Sequence, residues 1–203
     1  MRYGLHGVLL LILALVQVAC VTEPQPPVTE YALSPRIQAQ GANDGKLPLV
    51  LKLAPVSASQ IYMSTDILYV GDDYQRNPYA YSRWVDSPVH MLQLVLQDGL
   101  ERSGLFQAVL PSTSLLGADL RLETTLYDFS HHMLADRKSE AVIRLGFHLM
   151  DVRKSRLLAS RQFELRMPAP SLDAEGGVAA INAAVASLFP RLIDWLKEAL
   201  AQP

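Results

Sequence analysis

Cys20 is the only thiol in the 203-residue chain. A lone cysteine cannot form an internal disulfide, so its chemistry must lie elsewhere. It closes the stretch Val16-Gln17-Val18-Ala19-Cys20, at the end of an apolar run that starts at Leu5. Arg2 and His6 give a short polar start, Val8 to Val16 is wholly apolar, and the small Ala19 precedes the cysteine. That order is the order of a secretory signal peptide. Cleavage just before Cys20 followed by acylation of its thiol is the chemistry the pattern predicts. The segment resembles a lipobox, with Gln17 where leucine is usual. An uncleaved membrane helix is the first alternative, but Leu5 to Ala19 is 15 residues interrupted by Gln17, whereas a span needs ~20. A plain secreted protein with a chance cysteine is the second.

His131-His132, with Asp136 nearby, is the obvious catalytic or metal-binding candidate. Neighbours on a strand point to opposite faces, so the pair is poorly placed to chelate one ion. Zinc patterns add cysteines or a spaced histidine pair, and no such set is present. The sequence also has no Gly-x-Ser-x-Gly elbow, phosphate loop or His-Glu-x-x-His. The histidines therefore read as loop or strand-end residues, and the chain as no enzyme, with no metal and no cofactor beyond a covalent lipid on Cys20. Tyrosines are less evenly spread: five of eight fall between Tyr62 and Tyr81. Tyr69, Tyr74, Arg76, Tyr79, Tyr81 and Trp84 concentrate the residue types that dominate binding hot spots. They are the candidate partner-binding surface, and the competing reading is that several simply pack a hairpin onto a sheet. Arg153-Lys154-Ser155-Arg156 reads as a solvated turn.

The elements that position these residues follow from their periodicity. Residues 1–19 form the signal peptide. Residues 20–30, with Pro24, Pro26 and Pro27, form a tether reaching ~30 Å. One domain covers 31–203. Within it Tyr31-Ala32-Leu33 is expected as a short strand, and Leu47–Ala54, closed by Pro55, as a buried one. Residues 66–84 are a hairpin with turn chemistry at Gly71-Asp72-Asp73 and Asn77-Pro78. Ser87-Pro88 opens a helix bearing Met91, Leu92, Val95, Leu96 and Leu100, with Gly99 or Gly104 at its end. Leu105–Leu110 is a strand. Two longer strands alternate apolar and polar residues over Leu120–Tyr127 and Ile143–Leu149, and a third, Leu157–Met167, does so less cleanly, the last two joined by the turn Asp151–Arg156. A long amphipathic helix carries Val178 to Leu196, and Pro190 should kink or split it. The expected fold is α+β, a mainly antiparallel sheet with two amphipathic helices on one face.

Cleavage before Cys20 leaves 17 basic against 20 acidic residues. Nucleic-acid binding, which shows as a basic excess, is not indicated. Nor is there a polybasic lipid patch, so acyl chains would hold the protein to its membrane. Tyr31-Ala-Leu33 soon after Cys20, Tyr79–Trp84 with Trp84-Val-Asp-Ser-Pro88, Ser103-Gly-Leu-Phe106, Ala118-Asp-Leu-Arg-Leu122 and Asp194-Trp-Leu196 occur in that order. In these features the chain resembles the ABC-type transport auxiliary lipoproteins. The resemblance implies a Gram-negative, palmitate-bearing accessory subunit of a lipid transport system built on mammalian-cell-entry (MCE) domains. Its implied partners are a periplasmic MCE protein and that protein's inner-membrane transporter, with self-association left open. Val21 follows Cys20, where enterobacterial lipoproteins retained in the inner membrane carry aspartate. The expected location is thus the periplasmic face of the outer membrane. An outer-membrane assembly lipoprotein, chaperoning a β-barrel or lipopolysaccharide exporter, is the alternative function.

Overall fold

Strict alternation sets the longest strands, and they form the centre of the molecule. A computed structural model describes residues 26–37, 46–71 and 74–201. Cys20, Val21 and the whole of 1–25 lie outside them, and so do the hairpin-loop residues Asp72 and Asp73. The elements are β1 (Thr29–Tyr31), β2 (Leu47–Leu53), β3 (Ser57–Ala58), β4 (Asp66–Val70), β5 (Arg76–Trp84), α1 (Pro88–Arg102), β6 (Phe106–Leu110), β7 (Leu120–Met133), β8 (Ser139–Asp151), β9 (Arg156–Pro168) and α2 (Ala174–Ala201).

β7, β8 and β9 form an antiparallel meander paired over almost their full lengths. The other edge of β7 is shared. β2 pairs with its start, β3 with its middle and β4 with its end, all parallel. β6 extends the sheet beyond β2, again parallel, while β5 returns antiparallel to β4 and β1 lies parallel beside β5. The longest ladders are thus antiparallel, as the alternation requires, and the parallel ones are short.

The inward residues of β8, from Ala141 through Ile143, Leu145 and Phe147 to Leu149, are fully buried. α2 lies across β7–β9 and presents Val185, Leu188, Leu192 and Leu196 to them. Phe147, Phe163 and Trp195 meet with ring centroids 5.8–6.3 Å apart. α2 is long and apolar enough to cross a bilayer by length and composition, but most of that apolar window is buried against the sheet.

Three expectations need adjustment. The first strand is Thr29–Tyr31 rather than 31–33, because β5 offers its edge only as far as Trp84. Leu33 still reaches the core. α1 is capped by Ser87, whose side chain accepts from the His90 amide at 3.3 Å. It does not stop at Gly99. Gly99 is where α1 touches α2, since a Cβ there would lie 1.9 Å from Phe189 Cε1, and Gly104 at φ 64° ends the turn after the helix. α2 runs unbroken through Pro190. Pro190 itself is exposed, and Ala186, the residue four back whose carbonyl loses its N–H donor, is only partly buried.

Candidate functional site

The hairpin β4–β5 carries the aromatic cluster, and the structure divides it between core and surface. Trp84 is 1% exposed and stacks obliquely on Phe129, centroids 5.7 Å apart. It is a core residue, so its place among the binding candidates is corrected: its indole is buried against Phe129 of β7. Tyr74, at the tip, is 94% exposed, and Tyr81 projects about half its surface to solvent. Tyr69 and Tyr79 are half-buried and lie against each other at 4.9 Å.

Arg76 is held inward. Its guanidinium donates to Asp128 at 3.2 Å, and the same carboxylate accepts from the Tyr62 hydroxyl at 3.2 Å and the Ser130 hydroxyl at 2.5 Å. His132 Nε2 stands 3.1 Å from Ser130 Oγ and 3.7 Å from the carboxylate. A register shift in β7 between Leu126 and Asp128 builds this cluster. Beyond it Asp128, Ser130 and His132 share the face turned toward Tyr62 and Arg76, while His131 turns toward α2. Burial pushes the Asp128 carboxyl up, but hydrogen bonds from His132 and Ser130 and the charge of Arg76 outweigh it and hold it at about 2. Burial, then the Asp128 charge, pushes the Tyr62 phenol up.

The two histidines are separated as strand geometry requires. His131 is fully buried, and a Cβ on Gly177 of α2 would come within 2.6 Å of its Nδ1. That nitrogen is 2.8 Å from the Tyr79 hydroxyl, which is 3.4 Å from the Leu172 carbonyl. A proton on Nδ1 satisfies both contacts, the imidazole donating to the phenol and the phenol to the carbonyl. Nε2, without a hydrogen-bond partner among the described residues, is then an acceptor, which is less costly to leave unpaired than an N–H. Burial pushes the His131 imidazole down, against the opposing pull of Asp173. Burial and the Asp173 charge push the Tyr79 phenol well up.

Ser130, His132 and Asp128 bring together the residue types of a nucleophilic triad. Their order differs from one: the Ser130 hydroxyl is fully buried and donates directly to Asp128, whereas a catalytic serine gives its proton to histidine and faces substrate. The cluster ties the hairpin to β7. Among the described residues no group of three or more His, Cys, Asp or Glu is arranged to hold a metal ion. Sequence reading passed over Tyr62, Asp128 and Ser130. Their only signal was the break in alternation after Leu126.

Residues 31–192 match the family model described as ABC-type transport auxiliary lipoprotein component. No curated protein matches the chain in sequence. Among solved structures, protein XCC0632 of Xanthomonas campestris, assigned to family DUF330, is 24% identical. The match covers 84% of this chain and 96% of that one at a TM-score of 0.75. A second, described only as an uncharacterized protein, is 16% identical over 84% of this chain and 99% of its own, with a TM-score of 0.60. Both share the fold.

Proposed function

The chain belongs to the family of ABC-type transport auxiliary lipoprotein components, and from that membership we propose that it is a non-enzymatic subunit of an MCE-type intermembrane lipid transport system. It is anchored by acyl chains on Cys20 to the periplasmic face of the outer membrane and binds the system's periplasmic MCE protein. The observation that carries this reading is the family match over residues 31–192. The signal-peptide pattern ending at Cys20 supports the anchor, and Val21 supports outer-membrane sorting. The buried Ser130 and Asp128, engaged with each other rather than open to a substrate, support a binding role over catalysis. Within the hairpin, Tyr74 and Tyr81 are the side chains free to meet a partner. Tyr69 and Tyr79 offer an edge, and Arg76 reaches a partner only by leaving Asp128.

Co-purification from a detergent extract, followed by mass spectrometry, tests the reading. Recovery of an MCE protein with its permease supports it. Recovery of a β-barrel or lipopolysaccharide-export assembly instead would replace it with the assembly-lipoprotein alternative.

A further inference from the structure

Among the described residues, His131 Nε2 is the only buried side-chain nitrogen or oxygen without a hydrogen-bond partner, and the residue is fully buried. Its surroundings come from three directions. On β8 the residue opposite is Ala141. From α2, Gly177 approaches so closely that a Cβ there would lie 2.6 Å from Nδ1. From the hairpin, Tyr69 of β4 is its register partner. Tyr79 of β5 lies nearly parallel to it, with ring centroids 6.3 Å apart and the hydroxyl 2.8 Å from Nδ1.

With Nδ1 donating to Tyr79, a second proton must go to Nε2. There it creates a charge and an N–H with no acceptor, both costly inside a protein. The groups facing the ring offset little of that cost. Tyr69 and Tyr79 are neutral phenols, and Ala141 and Gly177 carry no side-chain charge. Asp173 attracts an imidazolium, but it is exposed and already accepts from the Ser171 hydroxyl and the Gly176 amide. His132 lies on the other face of β7, beside Asp128, and its charge opposes a second cation on His131.

An imidazolium at this site gains water only if one of its covers lifts. α2 is fixed by Val185, Leu188, Leu192 and Leu196 in the core, and β8 lies between β7 and β9. The outer half of the hairpin, Tyr69 to Tyr81, is held more lightly. Val70 is its only buried side chain among the described residues. It pairs with β7 through Tyr69 beside His131 and Val70 beside His132, and the Arg76–Asp128 ion pair adds one further tie. The base is firmer, with Ile67, Leu68 and Trp84 in the core. Few buried contacts mark a segment that opens on its own.

We propose that His131 is a proton-operated clasp: neutral, it holds the outer half of the β4–β5 hairpin against β7, and protonated it releases that half while the meander and α2 stay folded. The clasp belongs to the fold and does not depend on which partner the hairpin meets. The sign follows from linkage. Opening puts the imidazole in water, where it titrates near 6.5, whereas the closed form keeps it neutral, so the open form binds more protons and acid favours opening. For a closed form still neutral at pH 5.5, the opening equilibrium rises about tenfold between pH 7.5 and 5.5.

Hydrogen–deuterium exchange of the full-length lipidated chain in detergent tests the clasp, resolved by peptic fragment and corrected for the pH dependence of intrinsic exchange. Fragments covering Tyr69–Tyr81 should be less protected than those of β8 and α2, and their exchange should be insensitive to dilute urea, the mark of local opening. Their protection should fall about tenfold from pH 7.5 to 5.5. His131→Gln should abolish that step, and His132→Gln should keep it. Tyr79→Phe, which retains the ring and the buried imidazole, should lower protection at both pH values and also keep the step. Unchanged hairpin protection in wild type, a step that survives in His131→Gln, or one that vanishes in His132→Gln overturns the clasp. So does a hairpin that exchanges with the same protection and urea dependence as β8 and α2, since it then opens only by global unfolding. The wild-type and His132→Gln measurements decide the matter even where His131→Gln fails to fold.

Discussion

Replacing Arg76 with alanine should destabilise the protein although the residue lies at the base of an exposed hairpin tip. Its guanidinium is about one-third exposed, but the carboxylate it pairs with is buried, at 8% side-chain exposure. Asp128 is held at about 2 against an ordinary 3.8, a preference for the charged form on the order of 2 kcal/mol. His132, Ser130 and Tyr62 share in it, so Arg76 supplies only a part. Removing the cation, however, also leaves a desolvated charge with fewer partners, and the two effects together give ~2–3 kcal/mol. For a domain of this size that is a fall of ~5–10 °C in melting temperature at pH 7. The pH dependence has a definite sign. A carboxyl whose folded pKa lies below its unfolded one stabilises fully above pH ~4 and loses that contribution between about 4 and 2. The gap between Arg76→Ala and wild type should therefore narrow as pH falls through that window. A double-mutant cycle with Asp128→Asn isolates the pair, and Arg76→Ala should cost much less once the carboxylate has been replaced by the neutral amide. Circular-dichroism melts of the four proteins decide it. An Arg76→Ala variant melting with wild type at pH 7, or equal costs with and without Asp128→Asn, would show that the ion pair does not anchor the hairpin.

Further outcomes follow from other contacts. Gly99→Ala should lower stability by ~1–3 kcal/mol through collision with Phe189, and Gly99→Ala/Phe189→Leu should recover part of it in urea denaturation. His131 is buried neutral with a lowered pKa, so wild type should lose stability as pH falls below about 6.5. His131→Gln should not share that loss, and denaturation midpoints at pH 7.5 and 5.5 compare the two. Tyr74→Ala should leave the melting temperature unchanged, because the side chain is almost wholly in water, yet weaken capture of a partner that uses the hairpin. A palmitate analogue should label wild type and not Cys20→Ala, and sucrose-gradient fractionation should place the labelled protein with outer-membrane markers.

Much of the architecture was legible because it depends on local chemistry. Alternation over Leu120–Tyr127 and Ile143–Leu149 requires strands with one buried face, and Ser87-Pro88 caps a helix wherever the helix goes. Other features depend on distant partners. Gly99 looks like a helix stop until Phe189, ninety residues away, is placed against it. Pro190 looks like a break until its face is known to be the solvated one. A single register shift after Leu126 moves Asp128 onto the face opposite the helices, and no composition rule announces it. For the candidate site the limit is sharper. Tyr74, Arg76 and Trp84 share one hairpin and are all types enriched at binding hot spots, yet one is in water, one is tied to a buried carboxylate and one is in the core. Spacing along a strand fixes which face a residue takes, but not whether that face is covered.

The role proposed for this protein requires that it engage the periplasmic component of a lipid transporter. Titration of the full-length chain in detergent against the purified MCE-domain protein of the same organism, read by biolayer interferometry, measures that engagement. Saturable binding is the expected result. No binding by a correctly folded, lipidated chain would contradict the role.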